Sequence, residues 1–319
     1  MKNKKRKINI DIKTIILIIT LFFSCMNLYK TSEYLYESKE VKYNNKSSGS
    51  LTSATDVQTA VDDLFSETET YELITANSGF HNSIFRGKDI TKYLTSEYSL
   101  YDRISDGTFT DLYVGDYVVA NNITWRIAGF DIYYGKGGAH SENLARTNHH
   151  VVIVPDSNLT NNKMNTSNTS SGGYANSYMV STVLPSVLST YITPVFGSHV
   201  LTYRTLLTTA VTTTLYNRYG NNTGASSNWA TYTRSLDLMN ENQIFGSIIV
   251  SSSLYDTGTD NIQFPLFRLR PEYINKYYSW YWLRSVESKS GFAGVGYYGG
   301  SRVDAASASG GVRPYFYIG

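Results

Sequence analysis

The order of strand-like and helix-like segments constrains the fold of this chain more than any other feature. Residues Tyr113–Val119 and Ile123–Phe130 are rich in β-branched and aromatic side chains and flank the Asn-rich turn 120–122, a pattern typical of a β-hairpin. His150–Pro155 is apolar enough for a strand that is buried on both faces. The sequence therefore predicts β-structure from Leu112 onwards.

Two helical segments follow these strands. Apolar residues at helical spacing predict one helix at about 177–191, which Pro185 would kink, and a second helix at about 202–212. The polar segments 157–177 and 217–228 are predicted to be surface loops. Strands, then helices, then further strands at the C-terminus indicate an α+β fold rather than an alternating parallel sheet.

The C-terminal segment is rich in glycine and aromatic residues. Three short runs, Trp280–Ser285, Gly291–Val295 and Gly311–Tyr317, are predicted to be short strands of one sheet. Arg284 and Arg313 stand inside these apolar runs, and a buried guanidinium needs polar partners.

We expect both arginines to form fold-locking pairs with an acid, because buried charges are normally paired internally. The acids considered are Asp116, Asp237 and Glu241. The alternative is direct contact of the guanidinium with the carboxylate or sugar hydroxyls of a ligand.

The first 29 residues have the pattern of a membrane-targeting segment. The basic cluster Lys2–Lys7 precedes an apolar stretch that continues to Tyr29, and the positive flank predicts a cytoplasmic N-terminus with the remainder outside. We favour an uncleaved signal anchor over a cleaved signal peptide, because no small-x-small cleavage site follows. The body of the chain is predicted to be exported in either case.

Charge and cysteine content exclude several classes of function for the exported body. The formal net charge is +2, but six of the 28 basic residues and one of the 26 acidic residues precede Lys30, which leaves 22 basic and 25 acidic residues. A slightly acidic body lacks the basic footprint that nucleic-acid binding needs. The single cysteine, Cys25, lies in the predicted membrane segment, so no disulfide framework or cysteine-zinc site is expected outside it.

Four regions follow from these patterns. Residues 1–29 form the basic tail and membrane anchor or signal, 30–53 a polar linker, 54–67 a short amphipathic helix, and 68–319 the extracellular domain. The apolar face of helix 54–67 needs a partner, either the body of the same chain or a second copy in a homo-oligomer. Segment 51–64 resembles a module that joins anchors or shafts to distal domains in Firmicutes surface proteins and phage tail proteins.

The C-terminal motifs carry a wider resemblance, which covers most of residues 80–319. Trp282–Ser285, Phe292–Val295 and Gly311–Pro314 resemble a domain family of unassigned function in Firmicutes and their phages. They are also similar to the C-type-lectin fold of formylglycine-generating enzymes and of the variable proteins of diversity-generating retroelements. The resemblance implies a C-type-lectin-like mixed domain with a short twisted antiparallel sheet and two helices. It assigns structural roles to five motif residues: Trp282, Arg284, Gly311, Arg313 and Pro314.

Catalytic chemistry finds little support in the sequence. Formylglycine-generating chemistry depends on a cysteine pair that the exported body lacks, and no Gly-x-Ser-x-Gly elbow accompanies the five histidines. His149 and His150 would point to opposite faces of a strand, so they would not converge on one metal ion. The segment 256–261 is better explained as a polar turn than as a Ca²⁺ site. We therefore predict a protein that is not an enzyme and has no metal or cofactor.

The segment 296–309 has the composition of an adaptable binding surface. It mixes Tyr, Ser, Gly, Arg and Asp with few aliphatic residues, and the neighbouring 277–280 extends it. Tyrosine provides large contact area at low entropic cost, and serine and glycine provide adaptable polar contacts. The alternative is an ordinary polar turn region whose tyrosines cover the sheet. The predicted ligand-binding residues are Tyr278, Trp280, Tyr297, Tyr298, Ser301, Arg302 and Asp304.

These observations predict a cell-surface recognition or adhesion protein. It would be a single-pass membrane protein, or a secreted one if the N-terminal segment is cleaved, and would bind a protein or glycan ligand. The alternative is a structural tail-associated protein of a phage or prophage, located in the virion. A hydrolase or transferase is the least favoured of the three classes.

Overall fold

The computed structural model describes residues 78–211, 226–251 and 262–319. The predicted membrane segment, the linker and helix 54–67 lie outside these residues, as does the polar turn 256–261. Ala76–Gly319 forms one unit of the chain.

The described strands pair almost entirely in antiparallel fashion. In chain order they are β1 (Tyr117–Ala120), β2 (Ile123–Phe130), β3 (Val151–Pro155), β4 (Thr160–Asn162), β5 (Val200–Leu201), β6 (Tyr203–Val211), β7 (Ser226–Arg234), β8 (Asp237–Leu238), β9 (Tyr281–Val286), β10 (Gly291–Val295), β11 (Ser301–Ala305), β12 (Gly310–Val312) and β13 (Pro314–Ile318). The helices of the same residues are α1 (Ser78–His81), α2 (Leu100–Ser105), α3 (Leu144–Thr147), α4 (Met179–His199), α5 (Glu241–Phe245) and α6 (Pro265–Leu269). Short 3₁₀ turns lie at Thr91–Leu94, Tyr174–Asn176 and Pro271–Tyr273. The structure confirms a mixed α+β fold with antiparallel sheets and few helices.

The first sheet contains the predicted hairpin at one edge. Its strand order is β1-β2-β3-β13-β5, and β8 also pairs with β13. Asn121 and Asn122 join β1 to β2 with φ values of 51° and 61°, the left-handed backbone that a two-residue hairpin turn requires and that asparagine tolerates. All five residues of β3 are buried between β2 and β13. The predicted hairpin and the predicted buried strand are both confirmed.

The second sheet contains the C-terminal motifs and has the order β11-β10-β9-β12-β4. Its pairs are antiparallel except for β12 with β9, which run parallel. The prediction of three C-terminal strands in one sheet is wrong for the last run. Residues 310–312 form β12 in the second sheet, and Pro314 begins β13 in the first, so only Arg313 separates the two sheets along the chain.

The helix α4 is longer than predicted. It continues past Pro185, with a wider π-helical turn on each side of the α-helical turn that contains this proline. Among the described residues, α4 is the single helix that is both long enough and apolar enough to cross a membrane. Its apolar side packs on the first sheet, where the ring of Phe196 contacts Trp125 at 5.5 Å and Phe316 at 5.2 Å. We therefore interpret α4 as a core helix.

The predicted second helix at 202–212 is wrong, because this segment is strand β6, paired with β7. The burial pattern of β6 alternates, with Tyr203, Thr205 and Leu207 buried and the residues between them half-buried. This period of two belongs to a strand. Segment 157–177 is likewise more than a surface loop, since it forms β4 and buries Met164.

The two buried arginines of the motif differ in their partners. Arg284 lies 3.3 Å from an oxygen of Asp237, one of the three acids considered, and its Nη1 also donates to the Tyr315 hydroxyl. Arg313 instead donates to backbone carbonyls of Pro155 and Ile274, each at 2.8 Å.

A third backbone carbonyl, that of Tyr273, accepts a hydrogen bond from Arg313 at 3.1 Å. The guanidinium thus joins the end of β3 to the segment that precedes β9, at the point where the chain crosses between sheets. The other two acids considered have other partners. Asp116 is paired with Arg86 at 2.6 Å, and Glu241 accepts the backbone N–H groups of Val250 and Ser251.

Candidate ligand-binding site

Exposed tyrosines cluster beside the second sheet. Tyr298 is 92% exposed, Tyr278 67% and Tyr297 47%. Tyr297 and Tyr298 lie in the turn between β10 and β11, and Tyr278 lies in the segment before β9. The rings of Tyr278 and Tyr298 meet edge to face at 6.2 Å, so the two segments present one continuous aromatic surface.

Arg302 connects these tyrosines to a partly buried tryptophan. Its guanidinium carbon lies 4.7 Å from the ring centre of Trp280 and 5.7 Å from that of Tyr297, within the range of cation–π contact. A hydrogen bond to the Asp304 carboxylate raises the pKa of Arg302 above its ordinary value. We call Tyr278, Trp280, Tyr297, Tyr298 and Arg302 the aromatic patch.

Asn275 holds the two segments of the aromatic patch together. Its Nδ2 donates to the carbonyls of Gly296, at 2.7 Å, and Tyr297, at 3.2 Å, while its Oδ1 accepts the backbone N–H of Ser279 at 3.1 Å. Tyr278 adopts a φ of 53°, which is uncommon for a residue with a β-carbon. One side chain therefore sets the backbone of both tyrosine-bearing segments. The sequence offered only a turn-forming asparagine as a signal.

Glycines of β12 make room for the base of the patch. A β-carbon added at Gly310 would lie 2.2 Å from Cη2 of Trp280, so this ring rests directly on the strand backbone. The Trp280 ring also meets Trp282 at 5.0 Å, and the Trp282 indole N–H donates to the carbonyl of Asn162 in β4.

The neighbouring Gly311 has a similar role. A β-carbon there would lie 1.9 Å from Nδ2 of Asn158, which donates to the Ser279 hydroxyl at 2.9 Å and to the Trp280 carbonyl at 3.2 Å. The Gly-Val-Arg-Pro motif thus supports the patch from below rather than forming part of its surface.

Two predicted site residues, Ser301 and Asp304, are held by internal contacts. The Ser301 hydroxyl donates to a carboxylate oxygen of the buried Glu241 at 3.3 Å, and successive strand residues point to opposite faces, so Ser301 points away from Arg302. Asp304 lies on the Arg302 side of β11 and is its ion-pair partner. The composition of segment 296–309 predicts a binding surface or a polar turn region, and neither gives the strand register that separates these roles.

The aromatic patch borders an open depression of about 490 Å³. Its lining comes from the turn and from β11: Gly296, Tyr297, Tyr298, Gly300, Ser301, Arg302 and Val303. A second depression of about 440 Å³ lies beside the hairpin turn, and its lining includes Asn121, Asn122 and Asn158. The first combines tyrosine rings with the Arg302 guanidinium, which suits contact with a ligand that has both apolar and polar faces.

The histidines considered as metal ligands have structural partners. His150 is fully buried, and its Nε2 accepts the backbone N–H of Tyr133 at 3.1 Å. Burial lowers the pKa of His150 to about 4, although its bond to the Asn148 carbonyl acts in the opposite direction. His149 lies 2.8 Å from Asp131 and stacks on Tyr134. Within the described ranges, no group of three or more His, Cys, Asp or Glu side chains is arranged to hold a metal ion.

A charged cluster near the start of the described residues is also built from internal contacts. Arg86 pairs with Asp111 and Asp116, and Tyr93 donates to Asp111. Burial alone would raise the pKa of Asp111, but the hydrogen bonds from Tyr93 and Arg86 lower it to about 2. These groups satisfy one another, so we interpret the cluster as a fold-stabilising network.

Comparison of the chain with protein-family models, with curated proteins and with solved structures found no match. The geometry of the aromatic patch therefore carries the functional proposal.

Proposed function

We propose that the chain is a non-catalytic recognition or adhesion protein that binds a protein or glycan ligand through the aromatic patch. The observation that carries this proposal is the exposure of Tyr278 and Tyr298 beside an arginine already held over Trp280 and Tyr297. Large exposed aromatic clusters are uncommon on soluble surfaces and mark interaction sites. Tyrosine rings supply contact area at low entropic cost, because only two torsions are immobilised.

The chemistry of the patch suits a ligand with alternating apolar and polar groups. The tyrosine rings offer faces for the apolar side of a sugar ring or for an aliphatic or aromatic side chain. Arg302 and Asp304 offer a donor and an acceptor for hydroxyl, carbonyl or carboxylate groups of the same ligand. The Asn275 side chain holds the backbone of both tyrosine-bearing segments, which lowers the ordering cost of binding.

The domain is a C-type-lectin-like fold on this proposal. Support comes from the terminal segment, in which β12 pairs in the second sheet and β13 pairs in the first. The Gly-Val-Arg-Pro motif at their junction gives further support. The N-terminal segment anchors the domain at the outer face of the cell membrane. This placement is supported by the basic and apolar pattern of residues 1–29.

A binding screen with the full-length chain tests the proposal. The purified chain is applied to arrays of glycans and of extracellular proteins, and every hit is repeated with a Tyr297→Ala/Tyr298→Ala variant. The matched control is Tyr134→Ala, which removes an exposed tyrosine outside the patch. Loss of binding in the double variant alone, with an unchanged circular dichroism spectrum, supports the proposal. Equal binding by all three proteins contradicts it.

A further inference from the structure

The strand β11 forms one edge of the second sheet. Among the described residues it pairs with β10, and its other side is the end of the sheet. The pairing is regular from Gly291 opposite Ala305 to Val295 opposite Ser301. The depression beside the aromatic patch is lined in part by the same strand.

The hydrogen bonds at the two ends of this pairing show which backbone groups face the open side. The backbone N–H of Gly296 donates to the carbonyl of Gly300 at 2.7 Å, and the backbone N–H of Ala306 donates to the carbonyl of Ser290 at 2.8 Å. Hydrogen-bonded pairs alternate along an antiparallel ladder, so residues 302 and 304 also bond towards β10. The backbone N–H and C=O groups of residues 301, 303 and 305 therefore point outwards.

The sequence of this edge is self-complementary. Ser301–Ala305 reads Ser-Arg-Val-Asp-Ala, so a two-fold axis at Val303 places Arg302 opposite Asp304 of the second copy and Asp304 opposite its Arg302. Val303 then lies opposite its own equivalent. We propose that two copies of this chain associate edge to edge through antiparallel pairing of their β11 strands, centred on Val303.

The proposed register places hydrogen-bonded and non-hydrogen-bonded cross-strand pairs at positions that suit their side chains. Val303 would lie opposite its equivalent in a hydrogen-bonded pair, because its backbone groups face outwards. Arg302 and Asp304 of the second copy would form the other kind of pair, in which the Cα atoms approach to about 4.5 Å and the side chains are closest. Opposite charges at this spacing attract, whereas like charges repel.

The arrangement also has a consequence for binding. Side chains directly opposite each other in a sheet lie on the same face, so Arg302 of both copies would lie on one face of the combined sheet. The two aromatic patches would then open to the same side and contact two sites on one ligand surface. Linked sites raise overall affinity without any new contact.

Covalent trapping at the two-fold axis tests the association. An edge of five residues buries little area, so a weak and reversible dimer is expected and a covalent readout is needed. The full-length chain carrying Cys25→Ser and Val303→Cys is oxidised and run on a non-reducing gel. The Cα atoms of the two substituted positions would be about 5.5 Å apart, within the range of a disulfide. The matched control carries Ser186→Cys, on the exposed side of α4, in place of Val303→Cys.

Charge reversal in the same background tests the register. Arg302→Asp and Asp304→Arg each place like charges opposite one another, and each is expected to lower the trapped dimer at least tenfold. An equal mixture of the two variants, carrying tags of different size, is expected to restore trapping as a mixed dimer. This rescue requires both variants to be folded, so it separates a lost interface from a lost fold.

The outcomes decide the proposal without any ligand, so they are separate from those of the binding screen. Trapping at position 303 above the Ser186→Cys control, with loss in each single variant and rescue in the mixture, supports the edge dimer. Trapping no higher than the control, single variants that trap like the parent, or a mixture that does not trap would each overturn it.

Discussion

The buried guanidinium of Arg313 binds three backbone carbonyls at distances between 2.8 and 3.1 Å. A planar fork with donors in fixed directions reaches these oxygens together, whereas an ammonium group on a flexible stem does not. Buried carbonyls left without donors are costly.

Arg313→Lys is therefore expected to lower the free energy of unfolding by about 2 kcal/mol. Denaturant unfolding of the full-length chain, followed by tryptophan fluorescence, measures this change. The control is Arg268→Lys, a side chain with an exposed bond to the Asn82 carbonyl, which should change stability by less than about 0.5 kcal/mol. Equal losses in the two variants would contradict the role assigned to Arg313.

His150 makes stability depend on pH in a defined window. Its ordinary pKa is 6.5 and its pKa in the folded chain is about 4, because burial disfavours the charged ring. The unfolded chain takes up this proton first as the pH falls. The contribution of His150 to stability is therefore complete above pH 6.5 and is lost as the pH falls to 4, by about 3 kcal/mol in total.

His150→Gln is expected to flatten the dependence of unfolding free energy on pH by about one proton between pH 4 and 6.5. Denaturant unfolding at several pH values in this window provides the slope. His140→Gln, at an exposed histidine, should keep the slope of the parent. A His150→Gln slope equal to that of the parent would show that this ring titrates normally in the folded chain.

At the residue scale, the sequence predicted that Arg284 and Arg313 are buried and paired with an acid, but not which acid each would meet. Arg284 meets Asp237 from β8, a contact that depends on the pairing of β8 with β13. Every residue has a backbone carbonyl, so the residue types in the sequence could not identify the carbonyls that Arg313 binds.

At the scale of elements, β6 shows why an apolar pattern alone misassigned a segment. The apolar spacing in this segment fits one face of a helix, as seen for Leu206, Leu207, Ala210 and Val211. The segment is nevertheless a strand, because it pairs with β7 and because every second residue from Tyr203 to Leu207 is buried. Threonine-rich segments favour strands, since β-branched side chains lose torsional freedom in helices. The hairpin of β1 and β2 was predictable because its asparagine turn is a local signal.

The strand β12 couples the terminal motif to the aromatic patch. Gly310→Ala would force its β-carbon against the Trp280 ring and is expected to cost about 1–3 kcal/mol of stability, since overpacking displaces the ring. The free energy of unfolding and the affinity for ligand should both be lower than in the parent. Gly300→Ala is the control for stability, because nothing lies within 4 Å of its added β-carbon. Equal stability of the two variants would mean that Trp280 does not rest on this strand.

At the scale of the whole molecule, the C-terminal segment has three structural roles. Strand β12 supports Trp280, Arg313 joins the sheets, and β13 pairs with β3, β5 and β8 in the first sheet. The base of the aromatic patch, Trp280, therefore rests on a buried strand. A rigid support of this kind suits a surface that binds without rearranging.

The composition of the patch was visible in the sequence, but its construction was not. The tyrosine-rich segment indicated where a binding surface would lie. Asn275, which sets both tyrosine-bearing turns, and the inward direction of Ser301 depend on contacts between distant segments and on strand register. Such contacts arise only when the two sheets are assembled.

Equilibrium titration of a ligand identified by the screen against Tyr298→Ala measures most directly whether the patch binds. Tyr298 is 92% exposed, so its loss should leave the fold intact. If its ring is a contact residue, the dissociation constant should rise at least about tenfold, or about 1.4 kcal/mol. Tyr134→Ala should bind like the parent. A Tyr298→Ala dissociation constant equal to that of the parent would contradict the assignment of the aromatic patch as the ligand-binding surface.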